Sequence, residues 1–157
     1  MRDRRFVAVH RGGPLPSAEH RLLSAWAAAC AEHVLPLFER ERPADDRPRR
    51  AIETARAWAA GGIPVGTAQK AAVAAHAAAR TATDRAAVAA ARAAGHAVAT
   101  AHMADHSLGG TLYAMKAVEA AGGDADAERA WAVAQLPDAV RALVVSALEA
   151  RLVGPRP

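Results

Sequence analysis

The protein has 157 residues, of which 52% are hydrophobic and 23% charged, and its formal net charge is +4. Much of the hydrophobic fraction is alanine, the strongest helix former, so the composition favours closely packed helices over disorder. No run of about 20 strongly apolar residues appears, which argues against a membrane span. The dispersed arginines accompany no nucleic-acid-binding motif, so nucleic acid is not an expected partner.

Cysteine usage indicates a reducing compartment. Cys30 is the only cysteine, so no intramolecular disulfide can form and the cytoplasm is the expected location. A cysteine among alanines in mid-helix is typical of an inert small hydrophobe rather than of a nucleophile paired with His33. The charged N-terminus lacks the apolar segment of a signal peptide.

Residues 1–16 are predicted to form a short extended arm or one marginal strand, because a brief alternating stretch is followed by a stop made of Gly and Pro, in RFVAVHRGGPLP. Ser17 then caps a first helix with Glu19 in its first turn. Pro36 is expected to end or kink this helix.

A second helix is the best delimited in the sequence. Pro48 occupies the favoured first-turn position after Asp46 or Arg47, and Gly61 with the glycine after it stops the helix. The next helices are predicted to begin at Thr67, at Thr83 or Asp84, with the stretch SLGGTLYAMKAVEAA, at Asp124, and after Pro137.

These elements predict an all-α protein. We expect a compact bundle or array of about six or seven short alanine-rich helices joined by short connections. The whole chain, 1–157, is predicted to be a single domain with an extended arm (1–16), a helical core (17–152) and a tail (153–157).

The stretch HMADH, near the end of the fourth predicted helix, is a candidate catalytic or metal site. A spacing of four places His102 and His106 on one helical face, with Asp105 beside them. Two imidazoles at this spacing can share a divalent metal such as zinc, and H-x-x-D-H resembles the inverted zincin pattern H-x-x-E-H. Aspartate is shorter than glutamate and no third ligand is marked by spacing, so a buried polar pair or an accidental surface pair remains an alternative.

Three further residues are candidates for ligand binding. His96 lies on the same predicted helix but off the His102 line, so it can line the edge of the same cavity. His76 is either a hydrogen-bonded core histidine or a site residue. Tyr113 follows two glycines and can place its hydroxyl beside the histidines or serve as an amphipathic anchor.

The segment DDRPRRAIE offers a second group of candidates. Asp46 or Arg47 can cap the helix, Arg49 and Glu53 are spaced for a pair at i and i+4, and Arg47 can reach back to Asp45. The functional alternative is that Arg47 or Arg49 points into a pocket and binds a carboxylate or phosphate.

Four segments taken in order resemble a known family. WAAACAEHVLPLFE, DDRPRRAIETARAW, AAVAAHAAAR and AAGHAVATAHMADHSLGGTLYAMKAV are similar to the putative immunity protein family of the fifth-immunity type, small all-helical bacterial proteins. The resemblance covers Leu22 to Val118 and implies a cytoplasmic protein that neutralises a toxin by binding. It assigns no catalytic residues. The corresponding positions are Asp46, Arg47, Pro48, Arg49, Glu53, His76, His96, His102, His106 and Tyr113.

Two functions therefore stay open. The first is a binding protein that needs no cofactor and sequesters a cognate toxin or a small molecule through a polar pocket with a charged rim. The second is a small enzyme in which His102 or His106 acts as general base, oriented by Asp105, on an anionic substrate, with or without a divalent metal. The alanine faces also allow a homodimer.

Overall fold

A computed structural model describes residues 2–153 of the protein; of the predicted tail, only Val153 falls within the described residues. Seven α-helices occur in this range, which confirms the all-α prediction. They are α1 Ser17–Glu39, α2 Arg47–Ala59, α3 Val65–Thr81, α4 Arg85–Ala99, α5 His106–Ala120, α6 Ala125–Ala134 and α7 Asp138–Val153. No helix of residues 2–153 is both long enough and apolar enough to cross a bilayer.

Several helix ends follow from local capping. Asp84 accepts a hydrogen bond from the backbone N–H of Ala87, and Asp124 caps α6 in the same way. Pro48 lies in the first turn of α2, as predicted. Other predicted boundaries differ from the structure. Helix α3 begins at Val65, before Thr67, and Ser17 is the first residue of α1 rather than its cap. Pro36 does not end α1, which continues past it for almost another turn.

Residues 2–16 are more folded than the extended arm predicted from the sequence. Two 3-10 turns, Arg4–Phe6 and Val9–Arg11, are followed by a reversal at Gly12, whose φ is +78°. The side chains of Phe6 and Leu15 are buried. Burial of these two side chains against the helices explains why the segment folds back instead of remaining extended.

Helix α4 is the centre of the fold. It packs against α1, α2, α3 and α5, and ten of its fifteen residues are buried, eight of them alanines. Small side chains allow neighbouring backbones to approach closely, so many helix pairs each bury a modest apolar area. This packing brings polar side chains from different helices near one another.

A second group of buried side chains joins α1 to the C-terminal helices and the N-terminal turns. Trp26, Leu108 and Leu148 are among its largest members. The indole N–H of Trp26 donates to the carbonyl of Ala132 at 2.8 Å, which fixes α6 against α1.

The fourth predicted helix is interrupted before HMADH. Helix α4 ends at Ala99, and α5 begins at His106 after a turn. The ring of His20 on α1 donates from Nε2 to the carbonyl of Thr100 at 2.6 Å. A continuous helix would offer that carbonyl to the N–H of Ala104, so this tertiary hydrogen bond favours the break. The prediction that His102 and His106 share one helical face is therefore wrong.

Candidate functional site

Three histidines from three helices meet beside the centre of the fold. His76 comes from α3, His96 from α4, and His106 is the first residue of α5. The His76 and His96 ring centroids are 5.3 Å apart with the rings nearly perpendicular, and the His96 and His106 centroids are also 5.3 Å apart. The Nδ1 atoms of His96 and His106 lie 3.2 Å apart, so one of them donates a hydrogen bond and the other accepts.

Glycines make the space that these rings occupy. A Cβ on Gly95 would lie 2.7 Å from the His76 ring, and a Cβ on Gly109 would lie 2.5 Å from Nδ1 of His96. Both distances are far shorter than a van der Waals contact, so neither position accepts a larger residue while the rings stay in place. The two glycines thus set where the imidazoles lie.

Burial keeps the histidine cluster, His76, His96 and His106, largely neutral at pH 7. Desolvation lowers the pKa of each ring, and that of His96 falls to about 4. The positive charge of Arg92 lowers the pKa of His76 and His96 further, whereas the carboxylate of Asp105 partly opposes the lowering at His106. Neutral rings can pack and hydrogen-bond at neutral pH without an adjacent counter-ion.

Tyr113 connects this cluster to the surface. Its ring stacks on His96 with centroids 5.0 Å apart and planes 20° apart. The ammonium of Lys116 lies over the same ring, 4.8 Å from the Tyr113 centroid. The tyrosine therefore contacts both a half-buried imidazole and an exposed cation.

An open groove of about 780 Å³ runs between α4 and α5 where Tyr113 lies. We call it the α4–α5 groove; its walls are formed by Arg85, Val88, Ala89, Arg92, Tyr113, Lys116, Glu119 and Ala120. Three cations and one carboxylate face it. Arg85 and Lys116 are exposed, and Arg92 is half-buried.

His102 and Asp105 lie apart from this groove, under the N-terminal segment. Nδ1 of His102 is 2.9 Å from the amide nitrogen of Gln69 and 3.4 Å from Nη2 of Arg11. A guanidinium can only donate, so this Nδ1 is an acceptor. Asp105 pairs with Arg2 at 3.2 Å.

The predicted catalytic arrangement of HMADH is therefore not formed. Within the described residues Asp105 makes no hydrogen bond to His102 or His106, so it does not orient either ring as the sequence predicted. No three His, Cys, Asp or Glu side chains of residues 2–153 are placed to hold a metal ion, so His102 and His106 lack a third ligand there.

The DDRPRR segment makes structural ion pairs. Arg47 pairs with Asp45 at 2.7 Å, as predicted. Arg49 pairs with Glu39 of α1 at 2.7 Å rather than with Glu53, which corrects the expected i, i+4 pair. Glu39 comes within reach of Arg49 only when α1 and α2 pack together. The sequence of α2 alone therefore does not predict this pair.

The candidate residues of the DDRPRR segment lie apart from the histidine cluster and the α4–α5 groove. Asp46 pairs with Arg50 and, with Arg47, lines a separate surface depression. None of Asp46, Arg47, Arg49 and Glu53 lines the α4–α5 groove. The structure thus brings together His76, His96, His106 and Tyr113, and leaves the DDRPRR residues elsewhere.

Sequence reasoning missed the cations of the groove. Arg85 and Arg92 are seven residues apart on α4, and Tyr113 and Lys116 are three apart on α5. These spacings put each pair on one helical face, a signal that the sequence does contain. His20 was also missed, because nothing near it in sequence indicates its bond to Thr100.

Comparison with known proteins gives one match. The family model described as Imm-5 like putative immunity protein matches residues 13–139, a range that contains α1 to α6 and all residues of the groove and the histidine cluster. No curated protein and no solved structure matches the chain.

Proposed function

The protein belongs to the Imm-5 like putative immunity protein family, and from this membership we propose that it neutralises a toxin by binding it in a stoichiometric complex. The proposal places this binding in the cytoplasm of the cell that makes the protein, the compartment that a single unpaired cysteine favours. The observation that carries it is the α4–α5 groove, an open, charged surface within the part of the chain that the family model matches.

The chemistry of the half-buried His96 and the buried Cys30 supports binding rather than turnover at these two residues. A general base works best when its pKa lies near the working pH, whereas the pKa of His96 is lowered to about 4. Burial raises the pKa of the Cys30 thiol to about 12, which leaves almost no thiolate to act as nucleophile. His96 and Cys30 are thus better suited to packing than to proton transfer or nucleophilic attack.

The test is a titration of toxin activity against the purified protein. We suggest the toxin encoded beside the gene for this chain as the partner, with growth of a sensitive strain and toxin activity in vitro as readouts. A stoichiometric inhibitor abolishes activity at an equimolar ratio, without dependence on incubation time. An enzyme removes an excess of toxin activity progressively.

A complex of fixed stoichiometry, seen by calorimetry and size-exclusion chromatography, would support the proposal. Time-dependent loss of toxin activity at a small fraction of the equimolar amount would contradict it and favour the enzymatic alternative. Absence of any complex, together with absence of protection, would also contradict it.

A further inference from the structure

Within residues 2–153, the cations of the α4–α5 groove form no ion pair with an acidic side chain. In the described part of the chain, Arg85, Arg92 and Lys116 take part in none of the ion pairs. By contrast, Arg49 and Arg56 on α2 each pair with a glutamate of α1. Three cations and one carboxylate around one concave surface leave a net positive charge, which attracts carboxylates from outside.

The groove is also rigid at its base. Tyr113 is held by the stack on His96, and His96 is held in turn by the close approach of Gly109. A pre-positioned tyrosine loses little side-chain entropy on binding, which is why tyrosine is frequent among residues that contribute most to protein interfaces. The α4–α5 groove therefore combines a fixed aromatic surface with a positively charged rim.

We propose that the α4–α5 groove docks an acidic segment of the toxin. Carboxylates of that segment would pair with Arg85, Arg92 and Lys116, and its side chains would pack on the exposed part of Tyr113. This inference rests on the proposed function, because it identifies the partner as the toxin, and it adds where the toxin binds and with which chemistry.

The charge pattern favours a protein segment over a nucleic acid. Glu119 lies in the same groove as the three cations. A phosphate backbone presents closely spaced negative charges, so a carboxylate in its path is unfavourable. A protein segment carries discrete carboxylates and can place a lysine, an arginine or a polar group opposite Glu119.

The experiment uses the full-length protein and a fluorescein-labelled deca-glutamate peptide, followed by fluorescence anisotropy at low salt. The groove variant is R85E/K116E, since both side chains are exposed and neither forms an ion pair in the described residues. The matched control is R40E/K70E, which makes the same change in net charge at two exposed cations outside the groove. Labelled oligothymidylate of the same length is a second probe.

We expect R85E/K116E to weaken deca-glutamate binding by at least about tenfold, and R40E/K70E by less than about twofold. Binding by the unaltered protein should also weaken as salt rises to about 0.5 M. Circular dichroism verifies that both variants remain helical. If R85E/K116E does not fold, R85Q/K116Q, compared with R40Q/K70Q, makes the same comparison with a smaller change in charge.

Three results would overturn the inference: no binding of deca-glutamate, equal weakening by groove and control variants, or tighter binding of oligothymidylate at the same groove. The same variants are then tested against the toxin. If the toxin binds R85E/K116E and the unaltered protein with equal affinity, the groove is not its docking site, and the proposed function stays intact. A toxin that does not bind the unaltered protein contradicts the proposed function, whatever the peptide shows.

Discussion

Gly109 and His96 fit together across the α4–α5 contact, because a Cβ on the glycine would lie 2.5 Å from Nδ1 of the imidazole. The ring cannot easily move away, since it stacks on Tyr113 and is within hydrogen-bond distance of His106. The position of the histidine cluster therefore depends on the absence of one methyl group.

We expect Gly109→Ala to lower the free energy of unfolding by about 1–2 kcal/mol, measured by urea denaturation. The steric cost exceeds the gain in helix propensity that alanine brings at this position. The matched control is Gly66→Ala in α3, where a Cβ would meet no atom within 4 Å. That substitution should raise the free energy of unfolding by roughly 0.5–1 kcal/mol. Equal effects of the two substitutions would contradict the interpretation.

The histidine cluster should make stability depend on pH. In the unfolded chain these rings bind protons near pH 6.5, whereas the folded protein resists protonation of His96 until about pH 4. The unfolded state then binds more protons, so the stability present above about pH 6.5 is lost as the pH falls towards about 4. The lowered pKa values of His76 and His106 act in the same direction.

His96→Phe isolates the largest part of this effect, because phenylalanine keeps an aromatic ring against Tyr113 but cannot bind a proton. We expect the loss of unfolding free energy between about pH 8 and about pH 4.5 to be smaller in the variant by about 2 kcal/mol. The measurement is urea denaturation at a series of pH values. Parallel stability profiles for the two proteins would show that His96 is not the group responsible.

Cys30 should be chemically inert in the folded protein. Its side chain is fully buried, the pKa of its thiol is raised to about 12 by desolvation, and Thr111 lies 3.5 Å from its sulfur. We expect a disulfide reagent that reports thiols by absorbance to react at least about a hundredfold more slowly with folded than with urea-unfolded protein. Fast labelling of the folded protein would contradict the buried location.

Glu128 should contribute measurably to the attachment of α6. It is buried, its carboxylate accepts a hydrogen bond from Nδ1 of His33 at 2.7 Å, and His33 stacks on Trp131 with centroids 3.7 Å apart. We expect Glu128→Ala to cost about 1–2 kcal/mol of unfolding free energy. Arg50→Ala, which removes an exposed pair with Asp46, should cost less than about 0.5 kcal/mol.

A double-mutant cycle with His33→Ala and Glu128→Ala separates this hydrogen bond from general packing losses. A coupling energy near zero would mean that the carboxylate acts through packing alone.

The sequence by itself determined the helices whose signals are local. The high helix propensity of alanine favours an all-α fold. Asp84 and Asp124 cap the helices that follow them, and α2 begins near Pro48 and ends before Gly61. Each of these signals acts between residues a few positions apart, so no knowledge of the rest of the fold was needed. The family resemblance, confirmed by the match over residues 13–139, likewise came from residue types and their order.

Only the tertiary structure decided where α4 ends and which polar groups meet. His20, eighty residues before Thr100, binds the carbonyl that would otherwise continue α4, so HMADH became a turn and a helix start. Arg49 pairs with Glu39, which lies on α1, and not with Glu53 of its own helix. His76, His96 and His106 come together because α3 and α5 pack on α4 at glycines. Such contacts depend on which helix faces approach one another, and that choice is made by the packing of the whole domain.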